Sequence, residues 1–265
     1  MSVAVPPDVK DLIDAFVASA RAALGGNLVG VYLRGSLALG DFRPDSSDVD
    51  LLAVTNRPVC QSEAEALFDL DARLAEMANP YARRYEVVFV DRATLRRFEL
   101  GQRCLGLGQG ERLHWTTQRE NWILERWAVR EHGVSLLGPP PDTLIDPIGQ
   151  DELMAAVRRE LSSWREWAED ADDPDWSLHL GHKAYVVETT CRMLHTLSTG
   201  ELASKLRATA WAIETLPEPW PALVAASRGW LNNRAKDSRV NAEVRAFVLW
   251  AAEGAQNTEA ERSSG

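Results

Sequence analysis

Gly35 and Ser36 stand at the end of one apolar run, and Asp48 and Asp50 alternate at the start of a second. Both pairs lie in the stretch LRGSLALGDFRPDSSDVDLLAV, from Leu33 to Val54. Residues of these types at this spacing can hold a metal-bound triphosphate. Glycine lets the backbone approach phosphate closely, and the Ser36 hydroxyl and nearby N–H groups can donate to its oxygens. Side chains alternate faces along a strand, so Asp48 and Asp50 point the same way and can share a cation. One or two carboxylates, completed by substrate phosphates, is the usual mode for magnesium. Either piece alone is a weak signal: Gly-Ser also makes ordinary turns, and Asp-x-Asp ordinary solvated strand entries.

A third carboxylate extends the pattern. Residues 85–90, YEVVFV, are rich in β-branched and aromatic side chains and read as a strand, with Glu86 on the face shared by Val88 and Val90. A glutamate inside an apolar strand must be paired, ligated or reactive, because an isolated buried charge is costly. If this strand lies beside the one carrying Asp50, Glu86 completes a three-acid cluster. On an edge strand it would instead face water.

The elements that must carry these residues follow from periodicity. Val9, Leu12, Ile13, Phe16, Val17 and Leu24 mark a helix after Pro6-Pro7, closed by Gly25-Gly26. Strands are predicted over 28–34 and 49–55, a loop over 39–47, and a helix over 62–77 with Ser62 as its cap. Residues 91–118 have weak periodicity broken by Gly101, Gly106, Gly108 and Gly110, and a helix is predicted over 118–131. The run Gly138-Pro139-Pro140-Pro141 cannot continue a helix and reads as an interdomain linker. From Asp151 every strong pattern is helical, over about 151–169, 176–198, 204–216, 219–232 and 240–253. The fold class is therefore α/β plus all-α. An N-terminal catalytic domain with a small mixed β-sheet spans 1–140, a C-terminal helical bundle domain spans 141–254, and 255–265 is expected to be a disordered tail.

Composition narrows the function. The chain has 265 residues, 45% hydrophobic and 26% charged, with a net charge of −10. No apolar run approaches the ~20 residues that span a bilayer, and the N-terminus lacks the basic and apolar parts of a secretory signal. A cytoplasmic monomer with no membrane partner is expected. Cys60, Cys104 and Cys191 have neither disulfide nor zinc spacing. Gripping polynucleotide takes a basic surface, so the acidic balance disfavours nucleic acid as a partner. Acidic residues such as Glu169, Asp170, Asp172, Asp173 and Asp175 suit a small polycation, or serve only solubility.

The full spacing of Gly-Ser, Gly40 and Ser47-Asp48-x-Asp50 between apolar strands resembles the nucleotidyltransferase superfamily that includes DNA polymerase beta. The stretches VREHGVSLLGPPPDTLIDP (129–147) and TTCRMLHTLSTGELASKLRATAWAIETLP (189–217) make the likeness more specific. They resemble the aminoglycoside adenylyltransferase family, in particular its streptomycin/spectinomycin 3″/9 branch, and the similarity covers about residues 28–250. The resemblance implies that Gly35, Ser36 and Ser47 hold the phosphates of ATP, and that Asp48 and Asp50 bind Mg2+. Glu86 would be the general base and a further ligand of the metal. Arg192 and Lys205 of the helical domain would reach across an interdomain cleft to the triphosphate. Read without the family, Arg192 is equally a helix-surface residue and Lys205 a solvated first-turn lysine.

The implied reaction is magnesium-dependent transfer of AMP from ATP to a hydroxyl of a cationic aminoglycoside, an antibiotic-resistance activity. Trp115, Trp176 and His182 are the expected acceptor contacts. The chain departs from the streptomycin-modifying branch after Trp176, where His182 and Lys183 stand in place of acids, with Asp172, Asp173 and Asp175 nearby in sequence. Asn121 stands where that branch has an aspartate. These departures keep open a non-antibiotic acceptor for the same chemistry, beside a third reading as a non-catalytic nucleotide-binding relative.

Overall fold

The computed structural model describes residues 5–97, 101–108, 111–118 and 122–263. Contacts divide it into two units, Met1–Ile148 and Gly149–Gly265.

The first unit holds α1 (Pro7–Leu24), β1 (Leu28–Leu33), α2 (Gly35–Ala38), β2 (Val49–Thr55), α3 (Gln61–Ala75) and β3 (Tyr85–Asp91). It continues through α4 (Arg92–Arg96), β4 (Arg103–Leu107), β5 (His114–Thr117), α5 (Trp122–His132) and β6 (Val134–Leu137). The six strands form one mixed sheet in the order β5-β4-β3-β2-β1-β6. Only β2 and β3 run parallel, joined by the α3 crossover; the other pairs are antiparallel.

Period-2 alternation gives the sheet two apolar faces. Val31, Leu33, Val49, Leu51, Ala53, Val87 and Phe89 pack with the buried stripes of α1 and α3. Tyr32, Leu52, Val54, Val90 and Cys104 face the other way, onto Leu95, Val129, Leu144 and Ile145. Asp50 and Glu86 fall by the same alternation on this second face, at the N-terminal ends of their strands.

The structure adds three strands that the sequence analysis did not predict. β4 and β5 form a hairpin within the weakly periodic 91–118 segment, and β6 pairs with β1. The Gly-Pro-Pro-Pro run is bound to the sheet: the Tyr32 hydroxyl donates to the Pro139 carbonyl at 2.8 Å. The boundary between the units falls after it, at 148/149. α3 begins one residue early, capped by Cys60 and Glu63 in place of Ser62.

The second unit is helical: α6 (Gln150–Glu169), α7 (Leu180–Thr199), α8 (Lys205–Thr215), α9 (Trp220–Ser227) and α10 (Asn241–Ser263). Its core gathers Trp176, Val187, Cys191, Ala208, Ala212, Trp220, Val244 and Phe247. α10 runs on into the segment expected to be a disordered tail. Among the described residues, no helix is long and apolar enough to cross a membrane.

Candidate active site

Asp50 and Glu86 are direct neighbours across the parallel β2–β3 pair. The edge-strand alternative for Glu86 is excluded, because β3 lies between β2 and β4. The start of β3 is anchored by Tyr85, whose hydroxyl donates to the buried Asp71 carboxylate of α3 at 2.6 Å. Arg84, the residue before, organises the loop that leads into β2. It donates to the carbonyls of Pro44 and Ser47 at 3.0 and 2.5 Å, and its Nε lies 3.6 Å from Asp48 Oδ1. Asp48, Asp50 and Glu86 are therefore set by one loop and two adjacent strands.

Gly35 opens the turn after β1 with φ +62°. A Cβ there would stand 2.7 Å from Asp50 Cγ and would overlap its Oδ2 oxygen. Only glycine leaves room for that carboxylate and adopts this conformation without strain. Ser36 follows in the first turn of α2, partly exposed. Ser47 Oγ accepts the Arg43 N–H at 2.9 Å, closing its own loop.

Two residues that the sequence did not single out complete the cluster. The Arg34 guanidinium is bonded to Glu125 Oε2 of α5 at 2.7 Å and stands 3.6 Å from Glu86 Oε2 and 4.0 Å from Asp50 Oδ1. Arg34 is displayed at the end of β1, where its N–H donates to the Asp50 carbonyl. Only the packing of α5 on this face of the sheet brings Glu125 within reach, so no local spacing announced it.

Burial pushes the Asp50 carboxyl up, to about 7; Arg34 opposes the rise, and Glu86, Glu125 and Asp48 add to it. Among the described residues, no three His, Cys, Asp or Glu side chains converge closely enough to hold a metal ion by themselves. The donor set nonetheless suits a hard divalent cation. Carboxylates on neighbouring strands, and a glycine-lined space at Asp50, match a site whose remaining ligands come from substrate phosphates.

In the second unit, Arg192 lies within α7 and Lys205 opens α8. Arg192 Nε donates to the Ala203 carbonyl at 3.1 Å. Lys205 Nζ stands 3.8 Å from the buried Glu188 carboxylate and 4.9 Å from the centroid of the Tyr185 ring. Glu188 thus offsets a lysine that the first turn of α8 disfavours.

The expected acceptor residues differ in their surroundings. Trp115 packs on the α1/α3 side of the sheet, opposite the carboxylates, with the Arg103 guanidinium 4.4 Å from its ring centroid. Trp122 packs on the carboxylate side. Trp176 is 4% exposed, stacked on Trp167 at 4.2 Å, and its indole N–H donates to the Asp170 carbonyl. His182 is half-buried and its pKa is lowered, chiefly by burial. Lys183 is 1% exposed, and its ammonium donates to the carbonyls of Trp176 and Leu178 at 2.8 and 3.0 Å. Its charge is spent on the 175–178 turn and is not presented to a ligand. His179 caps α7 and contacts Arg234. Asn121 lies outside the described residues.

Two family models match the chain. Residues 17–100 match the family described as nucleotidyltransferase domain, and residues 143–253 match aminoglycoside adenylyltransferase, C-terminal domain. An aminoglycoside (3″)(9) adenylyltransferase of Shigella flexneri is 27% identical over 242 residues, covering 87% of this chain and 88% of that protein. A spectinomycin 9-adenylyltransferase of Campylobacter jejuni is 26% identical over 235 residues, covering 83% and 85%. The crystal structure of a spectinomycin adenyltransferase from Enterococcus faecialis, with ATP and spectinomycin, has the same fold. Its TM-score is 0.72 at 17% identity, covering 93% of this chain and 99% of that one. The protein therefore joins a stretch that matches the nucleotidyltransferase domain to one that matches the C-terminal domain of aminoglycoside adenylyltransferases, and relatives of that name align along most of its length.

Proposed function

We propose that the protein moves AMP from ATP to a hydroxyl of an aminoglycoside antibiotic, with Mg2+, and releases pyrophosphate. One observation carries this reading: Asp50 and Glu86 are paired on adjacent parallel strands, with Gly35 making room for the carboxylate, in a chain whose C-terminal part matches aminoglycoside adenylyltransferases.

Glu86 accepts the proton of the acceptor hydroxyl as its oxygen attacks the α-phosphorus, and pyrophosphate leaves on the opposite side. General bases of this kind contribute about 10²–10⁴-fold. Asp48 and Asp50, with Glu86 beside them, would hold the divalent ion, which offsets charge developing on the attacking and leaving oxygens. Gly35, Ser36 and Ser47 cradle phosphate oxygens. Arg192 and Lys205 add the positive charge that a triphosphate requires. Transfer is direct and needs no covalent enzyme intermediate.

A cationic acceptor is compatible with the second unit. The Lys183 charge is bound to backbone carbonyls, and His182 is held toward its neutral form, so neither argues for a different acceptor. His182 is kept as an acceptor contact. Trp176 and Trp115 are not, the first because the core takes up its ring and the second because it lies on the far face of the sheet.

Mass spectrometry of spectinomycin, streptomycin and other aminoglycosides after incubation with MgATP tests the reading. A drug that gains one AMP, and only with active protein, is the expected result. No adduct on any drug, with ATP still bound, would move the acceptor outside this class.

A further inference from the structure

Arg34 has no part in the scheme above, yet its guanidinium stands within 4.0 Å of both the Asp50 and the Glu86 carboxylate. Its side chain is 13% exposed, and its partners come from three elements: Asp50 of β2, Glu86 of β3 and Glu125 of α5. The geometry is asymmetric. The bond to Glu125 is 2.7 Å, whereas Glu86 and Asp50 are 3.6 and 4.0 Å away. Glu125 therefore holds the guanidinium at a short distance from the two proposed metal ligands without letting it close on them. Arginine keeps its charge at every accessible pH, so this is a permanent positive charge beside a site read as one for a divalent cation. The carboxylates also do not by themselves converge as a metal cage.

We propose that Arg34, positioned by Glu125, is an internal counter-cation that weakens divalent-metal binding to the free protein, so that the metal is taken up together with nucleotide. The proposal rests on the metal-site reading above. The triphosphate supplies the negative charge and the oxygen ligands that outweigh the repulsion from Arg34. The ion then enters as the nucleotide complex and does not fill the site beforehand. Glu125 is a positioning residue: it touches neither metal nor nucleotide in this scheme, and acts by keeping Arg34 in place.

The test is Mn2+ binding followed by electron paramagnetic resonance, without turnover, for wild type, Arg34→Gln, Glu125→Gln and Asp50→Asn, each with and without a non-hydrolysable ATP analogue. A unit charge about 6 Å from a divalent ion changes affinity by about tenfold even with water-like screening. Arg34→Gln should therefore bind Mn2+ alone about tenfold more tightly than wild type. Glu125→Gln should bind it more weakly, because a released guanidinium is free to close on Asp50 and Glu86. Tighter binding by Arg34→Gln cannot come from loss of folding, and a circular-dichroism melt that matches wild type assigns the weaker binding of Glu125→Gln to the released guanidinium. If wild type takes up Mn2+ in an Asp50-dependent way while Arg34→Gln leaves the affinity unchanged, the counter-cation role is overturned and the metal site stands. If Asp50→Asn binds Mn2+ as wild type does under both conditions, the metal site and this inference fall together.

Discussion

Replacing Gly35 by alanine should disable the site through a collision that can be located to one carboxylate. The added methyl would lie 2.7 Å from Asp50 Cγ and 3.1 Å from Asp50 Cβ, and would overlap Oδ2. The backbone also sits at φ +62°, which costs a non-glycine residue roughly 1–2 kcal/mol. Backbone strain alone would lower stability by that amount and leave turnover intact. The collision adds a second effect, because Asp50 must move by an ångström or more. Displacement of that size at a reacting centre costs on the order of 10²-fold. Gly101→Ala separates the two effects: Gly101 has φ +85° and nothing within 4 Å of its would-be Cβ. Both variants should lose about 1–2 kcal/mol in urea denaturation, but only Gly35→Ala should lose kcat, by about a hundredfold. Equal kcat in Gly35→Ala and wild type would refute the claim that this glycine exists to seat Asp50.

Asp50→Asn should abolish turnover yet stabilise the metal-free protein at alkaline pH. A carboxyl raised from 3.8 to about 7 favours the folded state most below pH 4, and that advantage is lost as pH rises through 7. The loss amounts to as much as about 4 kcal/mol. Thermal melts without divalent metal should show the variant above wild type at pH 8 and converging with it near pH 4; a variant less stable at pH 8 would contradict the burial argument. Lys205→Ala should raise the KM for ATP, and unchanged ATP kinetics would remove it from the nucleotide site. Lys183→Met should cost about 2–3 kcal/mol of stability, because the carbonyls of Trp176 and Leu178 lose their donor. Acceptor KM should stay as in wild type, and a changed KM would return Lys183 to the acceptor site.

Much of this architecture was legible because it is written in local periodicity. The α1 stripe, β2 and β3 follow from alternation or 3.6-residue spacing, and so do Asp50 and Glu86 on one face. The β4–β5 hairpin was not legible: its glycines dilute the alternation, and its pairing depends on β3 as a template. β6 is only four residues long and gains its identity from β1. The Arg34–Glu125 pair spans 91 positions and exists only because α5 packs on the sheet. Trp176 illustrates the opposite limit. Its place in the chain suggested a ligand platform, but stacking on Trp167 and burial among helices give it a core environment. Sequence order carried no information about which tryptophan faces are covered.

The most direct test of the central claim is magnesium-dependent pyrophosphate release from ATP, with spectinomycin, streptomycin and other aminoglycosides supplied one at a time, in wild type and Glu86→Gln. The account predicts release with at least one drug, none without drug, and a loss of about 10²–10⁴-fold in the variant. Drug-dependent release that survives undiminished in Glu86→Gln would contradict it.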